Sequence, residues 1–154
     1  MRPAVQELER ILKGDDMIRI KREEMVKLED VLHLYQAVGW TNYTQQPQML
    51  EKALSHSLAI YVALDGDVAV GLIRLVGDGF SSVFVQDVIV LPAYQRQGIG
   101  GALMKESLED YKDAYQVQLV TDEDEKTLGF YRSLGFETLS TYDCIGMIWV
   151  NRKK

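Results

Sequence analysis

Residues 83–101 read VFVQDVIVLPAYQRQGIGG, an apolar run of strand length that leads into a glycine-rich turn. The polar pair Gln86-Asp87 interrupts the run, and no acidic residue lies between Tyr94 and Glu106. A helix that begins at the glycines would present the unpaired N–H groups and the positive dipole end of its first turn. The stretch therefore predicts a strand, an anion-binding turn and a helix, in that order.

The glycine turn suits a pyrophosphate, because glycines let backbone N–H groups approach a ligand closely. Two common phosphate-binding motifs are absent from the sequence. A P-loop would require Gly-x-x-x-x-Gly-Lys-Ser/Thr, and no such string occurs. A Rossmann fingerprint would require a third glycine where Leu103 stands. The sequence therefore predicts an anion site that belongs to neither class.

The rest of the chain alternates between helix-like and strand-like segments. Apolar residues recur at helical spacing over residues 23–38, and Pro47 fits the first turn of a second helix. Asp65-Gly66 is typical of a hairpin turn. We expect strands at 17–21, 58–64, 68–76, 83–91 and 116–121, one or two more within 136–150, and later helices at about 98–113 and 123–134.

These segments predict an α+β fold with a mixed, mostly antiparallel sheet and helices on both faces. Tight turns join the early strands and give antiparallel pairs, whereas the strand–helix–strand unit at 83–121 requires a parallel crossover. No internal repeat, low-complexity tract or linker divides the chain. We therefore expect residues 17–154 to form a single domain.

Residues 1–16 differ in character from the rest of the chain. Val5, Leu8, Ile11 and Leu12 have helical spacing, and a second methionine stands at Met17. Residues 13–17, KGDDM, can be encoded by a purine-rich ribosome-binding sequence followed by a start codon. Two interpretations stay open: an N-terminal extension that is absent from a native protein starting at Met17, or a genuine N-terminal helix.

Composition narrows the possible partners. The chain has 154 residues with 17 Lys and Arg against 23 Asp and Glu, a formal net charge of −6. This balance argues against binding duplex DNA or an anionic membrane through general electrostatics. A single cysteine and the lack of a long apolar segment predict a cytoplasmic protein. His33 and His56 have no ligand partner at a suitable spacing, so we expect no metal.

Two short motifs in the second half of the chain carry a family resemblance. Residues 95–100, QRQGIG, match the pattern Arg/Gln-x-x-Gly-x-Gly/Ala, with Val90 and Pro92 as a Val-x-Pro lead-in. Residues 130–136, FYRSLGF, place a tyrosine four positions before Gly-Phe. Both resemble signatures of the GCN5-related N-acetyltransferases, the GNAT superfamily. The resemblance covers about residues 17–149 and implies the GNAT fold and an acetyl-CoA-dependent N-acetyltransferase.

The resemblance also implies which residues hold acetyl-CoA. Backbone groups on the strand would pair with the pantetheine arm as an added strand does, namely those of Val88, Ile89 and Val90. Backbone N–H groups of the turn would hold the pyrophosphate, namely those of Arg96, Gln97, Gly98, Ile99, Gly100 and Gly101. Tyr131 would lie near the sulfur and act as general acid. Its alternative role is an aromatic side chain that only fills the core.

The general base is less evident from the sequence. Phe84 and Gln86 stand where relatives often have Glu or His, and neither side chain is a base. Asp87, Asp122 or a water chain are the remaining candidates. Asp122 could instead cap a helix ahead of Glu125, and Asp87 could instead be a structural carboxylate bonded to backbone.

The resemblance implies that the acceptor binds near the loop between the first two helices. Trp40 and Tyr43 lie in that loop, and with Gln86 they are the candidate substrate-binding residues. Aromatic rings can pack on an amine or a flat substrate. The alternative is ordinary packing of the loop onto the core.

The resemblance implies acetyl transfer to a primary amine, by direct attack in a ternary complex, and we expect the amine to belong to a small molecule. Two other functions stay open: acetylation of a protein N-terminus or lysine, and a non-catalytic CoA-binding sensor or interaction protein. Dimers are common in the family, so the resemblance also implies a homodimer.

Overall fold

A six-stranded mixed sheet forms from the described part of the chain, residues 7–11 and 17–151 of a computed structural model. The strands lie in chain order: β1 (Glu7–Ile11), β2 (Met17–Glu23), β3 (Ala59–Asp65), β4 (Val68–Gly77), β5 (Ser82–Val90) and β6 (Gln116–Leu119). The pairs from β1 to β5 are antiparallel, and β5 pairs with β6 in parallel. This order confirms the predicted mixed sheet and its single parallel crossover.

Five α-helices accompany the sheet in the described residues: α1 (Leu28–Ala37), α2 (Thr41–Thr44), α3 (Pro47–Ser55), α4 (Ile99–Asp110) and α5 (Glu125–Ser133). Side chains alternate between the two faces of a strand, and β3 shows which helix covers which face. Val62 packs in the cluster that contains Leu34 of α1, whereas the Tyr61 hydroxyl donates to Asp110 of α4. Helices therefore cover both faces of the sheet, as predicted for an α+β fold.

One hydrophobic core cluster lies between the sheet and the pair α1 and α3. Leu34, Leu50, Leu72 and Ile89 are fully buried there. Burying a side chain of this size contributes about 1.5–3 kcal/mol. Pro47 occupies the first turn of α3, as predicted, because its fixed φ suits that position and its missing N–H costs no hydrogen bond.

Gly71 of β4 allows α4 to approach the other face of the sheet. A Cβ at this position would lie 3.1 Å from the Ile89 carbonyl oxygen and 3.2 Å from the Leu103 side chain. Both distances are shorter than ordinary van der Waals contact. The missing side chain therefore sets how closely the start of α4 packs on β4 and β5.

The expected N-terminal helix is wrong where the structure describes the chain. Residues Glu7–Ile11 form β1, in register with Ile11 opposite Met17 and Glu7 opposite Lys21. The apolar spacing covered too few residues to specify a helix, and pairing with the edge of β2 decides the conformation. Val5 and Leu12 lie outside the described residues. A native start at Met17 stays a prediction, which mass spectrometry of the native protein would test.

The one or two strands expected within residues 136–150 are also absent from the described structure. A short 3₁₀ turn at Leu139–Tyr142 precedes an irregular segment through residue 150. Ile145 and Met147 in that segment are exposed. Apolar composition alone does not make a strand, because a strand also needs a partner for its backbone groups.

The chain divides between Val120 and Thr121 into two compact units. The first contains the sheet and α1–α4, and the second contains α5 and the 3₁₀ turn. The expectation of a single domain over residues 17–154 stays a prediction. Among the described residues, no helix has both the length and the apolar character that a membrane span requires.

Candidate functional site

The second half of β5 has one edge that no described strand covers. β6 pairs with β5 only through residues 82–85, whereas β4 follows the other edge to the end of β5. The Leu91 N–H donates to the Val70 carbonyl at 2.9 Å. Because backbone groups alternate in direction along a strand, those of Val88 and Val90 point away from β4. An extended ligand that carries amides can pair with such an edge as a strand does.

Gln95, the first residue of the glycine motif, binds this edge directly. Its side-chain Nε2 donates to the Val90 carbonyl oxygen at 3.1 Å. The contact holds the start of the motif against the end of β5. Because Gln95 takes up the Val90 carbonyl, the backbone groups of Val88 are the next ones on the open edge with which a ligand could pair.

The turn before α4 has the geometry of an anion cradle. Arg96 and Gly98 both have positive φ, 62° and 82°, and the hydrogen bonds of α4 begin with the Ala102 N–H, which donates to the Gly98 carbonyl at 3.0 Å. Left-handed residues next to a helix start turn successive N–H groups toward one point, where an anion binds. A left-handed non-glycine residue costs about 1–2 kcal/mol. A Cβ at Gly98 or Gly101 would meet no atom within 4 Å, so space beside the turn is open.

A buried ion pair joins β4 to β5 on the opposite side of the sheet from α4. Arg74 Nε donates to Asp87 Oδ2 at 2.7 Å, and the two residues are 4% and 2% exposed. Tyr35 donates to Oδ2 at 2.9 Å, and Tyr43 donates to Oδ1 at 3.0 Å. Asp87 therefore accepts three hydrogen bonds, which offset the cost of burying its charge.

A β-bulge places Gln86 beside this pair. The register runs Arg74 opposite Asp87 and then Leu75 opposite Val85, so Gln86 is the extra residue of β5. Gln86 is exposed, and its Nε2 lies 3.4 Å from the Tyr43 hydroxyl. Without the bulge, strand alternation would send Gln86 and Asp87 to opposite faces, but both contact Tyr43.

An aromatic cluster surrounds the ion pair. The rings of Tyr35, Trp40 and Tyr43 lie 5.2–6.2 Å apart between centroids, two of the three pairs edge-to-face. Trp40 immediately precedes α2, a short helix where the sequence predicted a loop. Burial and the neighbouring Asp87 charge raise the pKa of both Tyr35 and Tyr43. Both phenols therefore stay protonated at neutral pH and can donate to Asp87.

Tyr131 lies on α5 in the second unit, half-buried between two rings. Its ring centroid is 5.0 Å from that of Phe130 and 6.0 Å from that of Phe136, both edge-to-face. Burial raises the pKa of the Tyr131 phenol. The hydroxyl therefore holds its proton through the neutral range.

Asp124, not Asp122, caps α5. Asp124 Oδ1 accepts the Thr127 N–H at 2.9 Å, and Oδ2 accepts the Thr127 hydroxyl at 2.7 Å. The prediction that Asp122 caps the helix is therefore wrong. The helix begins at Glu125, two residues later than expected, which moves the cap by the same number of residues. Asp122 is exposed, and its role as a base stays a prediction.

The first unit brings together four of the predicted site residues, Trp40, Tyr43, Gln86 and Asp87, and it also holds the strand end 88–90 and the turn 96–101. Tyr131 and Asp122 belong to the second unit. Asp87 is indeed bound in place, but its partners are side chains, whereas the structural alternative expected backbone.

Sequence reasoning missed Arg74 and Tyr35. A signal for Arg74 was present, since it is the only charge in the apolar run 68–76 and the next strand carries a polar pair. Among the described residues, no group of three His, Cys, Asp or Glu side chains could hold a metal ion.

The chain belongs to the GNAT acetyltransferase family. The family model described as an acetyltransferase (GNAT) domain matches residues 56–138, more than half of the chain. The matched range contains β3 to β6 and the glycine motif, which are the elements that build the open strand edge and the anion cradle.

Similar proteins from bacteria and plants agree with this assignment. A solved GNAT-family acetyltransferase from Streptococcus pneumoniae TIGR4 is 75% identical, with a TM-score of 0.82, over 89% of this chain and 100% of that one. GCN5-related N-acetyltransferase 1, chloroplastic, of Arabidopsis thaliana is 30% identical over 136 residues, 85% of this chain and 66% of that protein. Serotonin N-acetyltransferase 2, chloroplastic, of Oryza sativa subsp. japonica is 30% identical over 96 residues, 60% of this chain. The chain spans 66% and 48% of the lengths of these two plant proteins, less than two thirds of each.

Proposed function

We propose that this acetyltransferase moves an acetyl group from acetyl-CoA to the primary amine of a small molecule. One observation carries the proposal: the open edge of β5 leads directly into a left-handed turn and a helix start without acidic residues. Acetyl-CoA carries a pantetheine arm with amides and, next to it, a pyrophosphate, and this order matches the strand edge followed by the anion cradle. Acetyl-CoA supplies the activated acetyl thioester when it is bound.

The residues for the donor follow from that arrangement. The backbone groups of Val88 and the Val90 N–H are the proposed partners of the pantetheine amides, whereas those of Ile89, also expected from the sequence, point toward β4. The N–H groups of Arg96, Gln97, Gly98, Ile99, Gly100 and Gly101 are the proposed pyrophosphate site. The exposed Arg96 guanidinium adds a positive charge, and the dipole of α4 favours an anion at the same place.

The proposed reaction is direct attack in a ternary complex. The amine nitrogen forms a bond to the acetyl carbon while the bond from carbon to sulfur breaks. One proton leaves the nitrogen and one reaches the sulfur, so the products are an N-acetyl amine and a free thiol. We assign Tyr131 as the donor of the second proton, because its phenol stays protonated at neutral pH.

Asp87 is a poor choice for the base, because its two oxygens already accept three hydrogen bonds and it is paired with Arg74. Asp122 is exposed in the second unit and remains the other carboxylate that the sequence proposed. Trp40, Tyr43 and Gln86 are the proposed acceptor-binding residues. The rings of Trp40 and Tyr43 suit an amine on or near a ring, and the rice relative is named for serotonin, an aromatic amine.

A thiol-release assay with acetyl-CoA tests the proposal. The amines would be polyamines, arylalkylamines, amino sugars, aminoglycosides, amino acids and short peptides, with calorimetric CoA binding measured in parallel. We expect CoA binding and turnover with one class of small amine. Turnover only with peptides would favour protein acetylation, and binding without turnover would favour a CoA sensor. Failure to bind CoA would overturn the proposal.

Tyr131→Phe tests the proton donor separately. The ring packing against Phe130 and Phe136 is retained, and only the hydroxyl is lost. We expect kcat to fall by roughly 100-fold, the usual size of a general-acid effect, with CoA affinity unchanged. Tyr115→Phe is the matched control, since Tyr115 is exposed and lies in the first unit. Unchanged turnover in the Tyr131 variant would refute the assignment.

We also propose that the chain forms a homodimer through its C-terminal segment. Ile145, Met147, Ile148 and Trp149 are each at least 85% exposed in the second unit. Runs of exposed apolar side chains mark surfaces where proteins associate. The partner that the family resemblance implies is a second copy of this chain. Light scattering should give a dimer mass that Trp149→Ser reduces to a monomer, whereas Phe80→Ser, at another exposed ring, should not. A monomeric wild-type chain at micromolar concentration would refute the dimer.

A further inference from the structure

The β-bulge in β5 gives Gln86 an orientation that the neighbouring hydroxyl fixes. Tyr43 has one hydroxyl proton, which it donates to Asp87 Oδ1 at 3.0 Å. The Tyr43 hydroxyl oxygen in turn accepts a hydrogen bond from Arg74 Nη2 at 3.2 Å. The group of Gln86 that faces Tyr43 must therefore be a donor, which is its Nε2 at 3.4 Å.

The consequence is that the carbonyl oxygen of Gln86, Oε1, points away from Tyr43. Gln86 is exposed, and within the described residues this oxygen has no hydrogen-bond partner. The bulge and the buried Arg74–Asp87 pair hold Tyr43 in place, and Tyr43 in turn holds the amide of Gln86. A hydrogen-bond acceptor of fixed direction thus stands beside the aromatic cluster.

We propose that Gln86 Oε1 accepts a hydrogen bond from an N–H of the acceptor amine and thereby aims the nitrogen lone pair at the acetyl carbon. This inference rests on the proposed acetyl transfer to an amine. Gln86 contacts the amine nitrogen, whereas the Tyr43 hydroxyl, Arg74 and Asp87 position Gln86.

The carbonyl of an amide accepts a hydrogen bond but does not take a proton at neutral pH. Gln86 therefore orients an amine that is already neutral. The groups around it offer no ready base: Asp87 accepts three hydrogen bonds, Arg74 is a cation, and burial together with Asp87 keeps Tyr35 and Tyr43 protonated. In this inference the ammonium proton is lost to solvent before attack and not to Asp122, so the pH profile of kcat/KM follows the pKa of the amine itself.

Variants of Gln86 test the hydrogen bond. Gln86→Leu removes the acceptor, and we expect kcat/KM for the amine to fall at least tenfold while the Kd of CoA is unchanged. Gln48→Leu is the matched control, because Gln48 is exposed on α3 and makes no hydrogen bond that the described residues record. A purely structural role would lower amine and CoA affinity together. That result, or an unchanged kcat/KM for the amine, would overturn the proposal.

The pH profile supplies an independent test. With two amines whose pKa values differ by about two units, we expect the inflection of kcat/KM to move with the amine. Gln86→Glu places a carboxylate where the amide stood, and it should add an inflection that both amines share. A shared inflection already present in the wild-type enzyme would mean that the protein supplies the base, and would overturn the inference.

Tyr43→Phe tests the positioning role. It removes the hydroxyl that holds Gln86, so amine KM should rise, and the double variant Gln86→Leu/Tyr43→Phe should lose no more than Gln86→Leu alone. Additive losses would refute the coupling. Failure of the proposed function itself would give a different result, namely no turnover of any amine by the wild-type chain.

Discussion

Arg74→Met is the sharpest test of the polar network, because it removes one charge of the buried pair and keeps most of the side-chain volume. The substitution leaves the Asp87 carboxylate 2% exposed with two phenols and no cation. Removing one partner of a buried pair costs about 3–5 kcal/mol. For a chain of this size that loss lowers Tm by about 6–20 °C, at about 2–4 °C per kcal/mol.

Guanidinium titration followed by circular dichroism and by tryptophan fluorescence measures the effect. Of the two tryptophans, Trp40 lies 6.1 Å from the Tyr35 ring and reports on the network, whereas Trp149 is exposed in the second unit. The two probes must give coincident transitions for a single free energy of unfolding to apply, since the chain has two compact units. Asp87→Asn should cost a similar amount, and the double variant should cost clearly less than the sum of the two.

Lys112→Met is the control for loss of a charge. Lys112 pairs with Glu109 at 3.0 Å, but both side chains are mostly exposed. Solvent screens such a pair, so its loss should leave the midpoint unchanged within error. If Arg74→Met shifts the midpoint no more than Lys112→Met does, the ion pair does not hold Asp87 in place, and the reasoning about the acceptor side fails.

Three other substitutions test the packing of α4, the glycine turn and the turn before β5. Gly71→Ala should lower the free energy of unfolding, measured by calorimetry, by about 1–3 kcal/mol, because the new Cβ would lie 3.1 Å from the Ile89 carbonyl oxygen. The same substitution should weaken CoA binding, and unchanged binding would show that the start of α4 does not move. Arg96→Gly should not lower Tm, since glycine accepts a φ of 62°, but the loss of the guanidinium should weaken CoA binding about fivefold. The control is Asp143→Gly, at a φ of 55°, which should leave CoA binding unchanged. Asp78→Asn should lower Tm at neutral pH, because hydrogen bonds from the turn lower the pKa of Asp78 and so stabilise the fold when the carboxylate is charged. This stabilisation is present above about pH 4 and is lost as pH falls, so the Tm of the variant should depend less on acid pH than that of the wild-type chain.

Local signals predicted the secondary structure of residues 83–110 well. An apolar run, a glycine turn and an acid-free helix start occur in immediate sequence order, and the structure keeps that order in β5, the turn and α4. The first helical position of Pro47 is equally local, because a proline fixes its own φ. Features of this kind depend on residues within a few positions of one another.

The polar network around Asp87 depends on contacts between residues that are far apart in sequence, so it was less predictable. Arg74 and Asp87 are 13 residues apart, and Tyr35 is 52 residues from Asp87. The bulge at Gln86 follows from the register between two strands, which no single strand specifies. For the same reason, the apolar content of residues 136–150 predicted strands that the described structure lacks.

β5 accounts for why both substrates would meet in one place. Its first four residues pair with β6, its bulge turns Gln86 toward the aromatic cluster, and its last residues present an open edge beside the glycine turn. Under the proposed function, the strand carries the contact with the amine at residue 86 and the contact with acetyl-CoA at residues 88–90. A span of two residues in a strand is about 7 Å. This separation is small enough for an amine held at Gln86 to reach a thioester held along the edge, so shifting the bulge by one residue should abolish transfer while leaving the anion cradle intact.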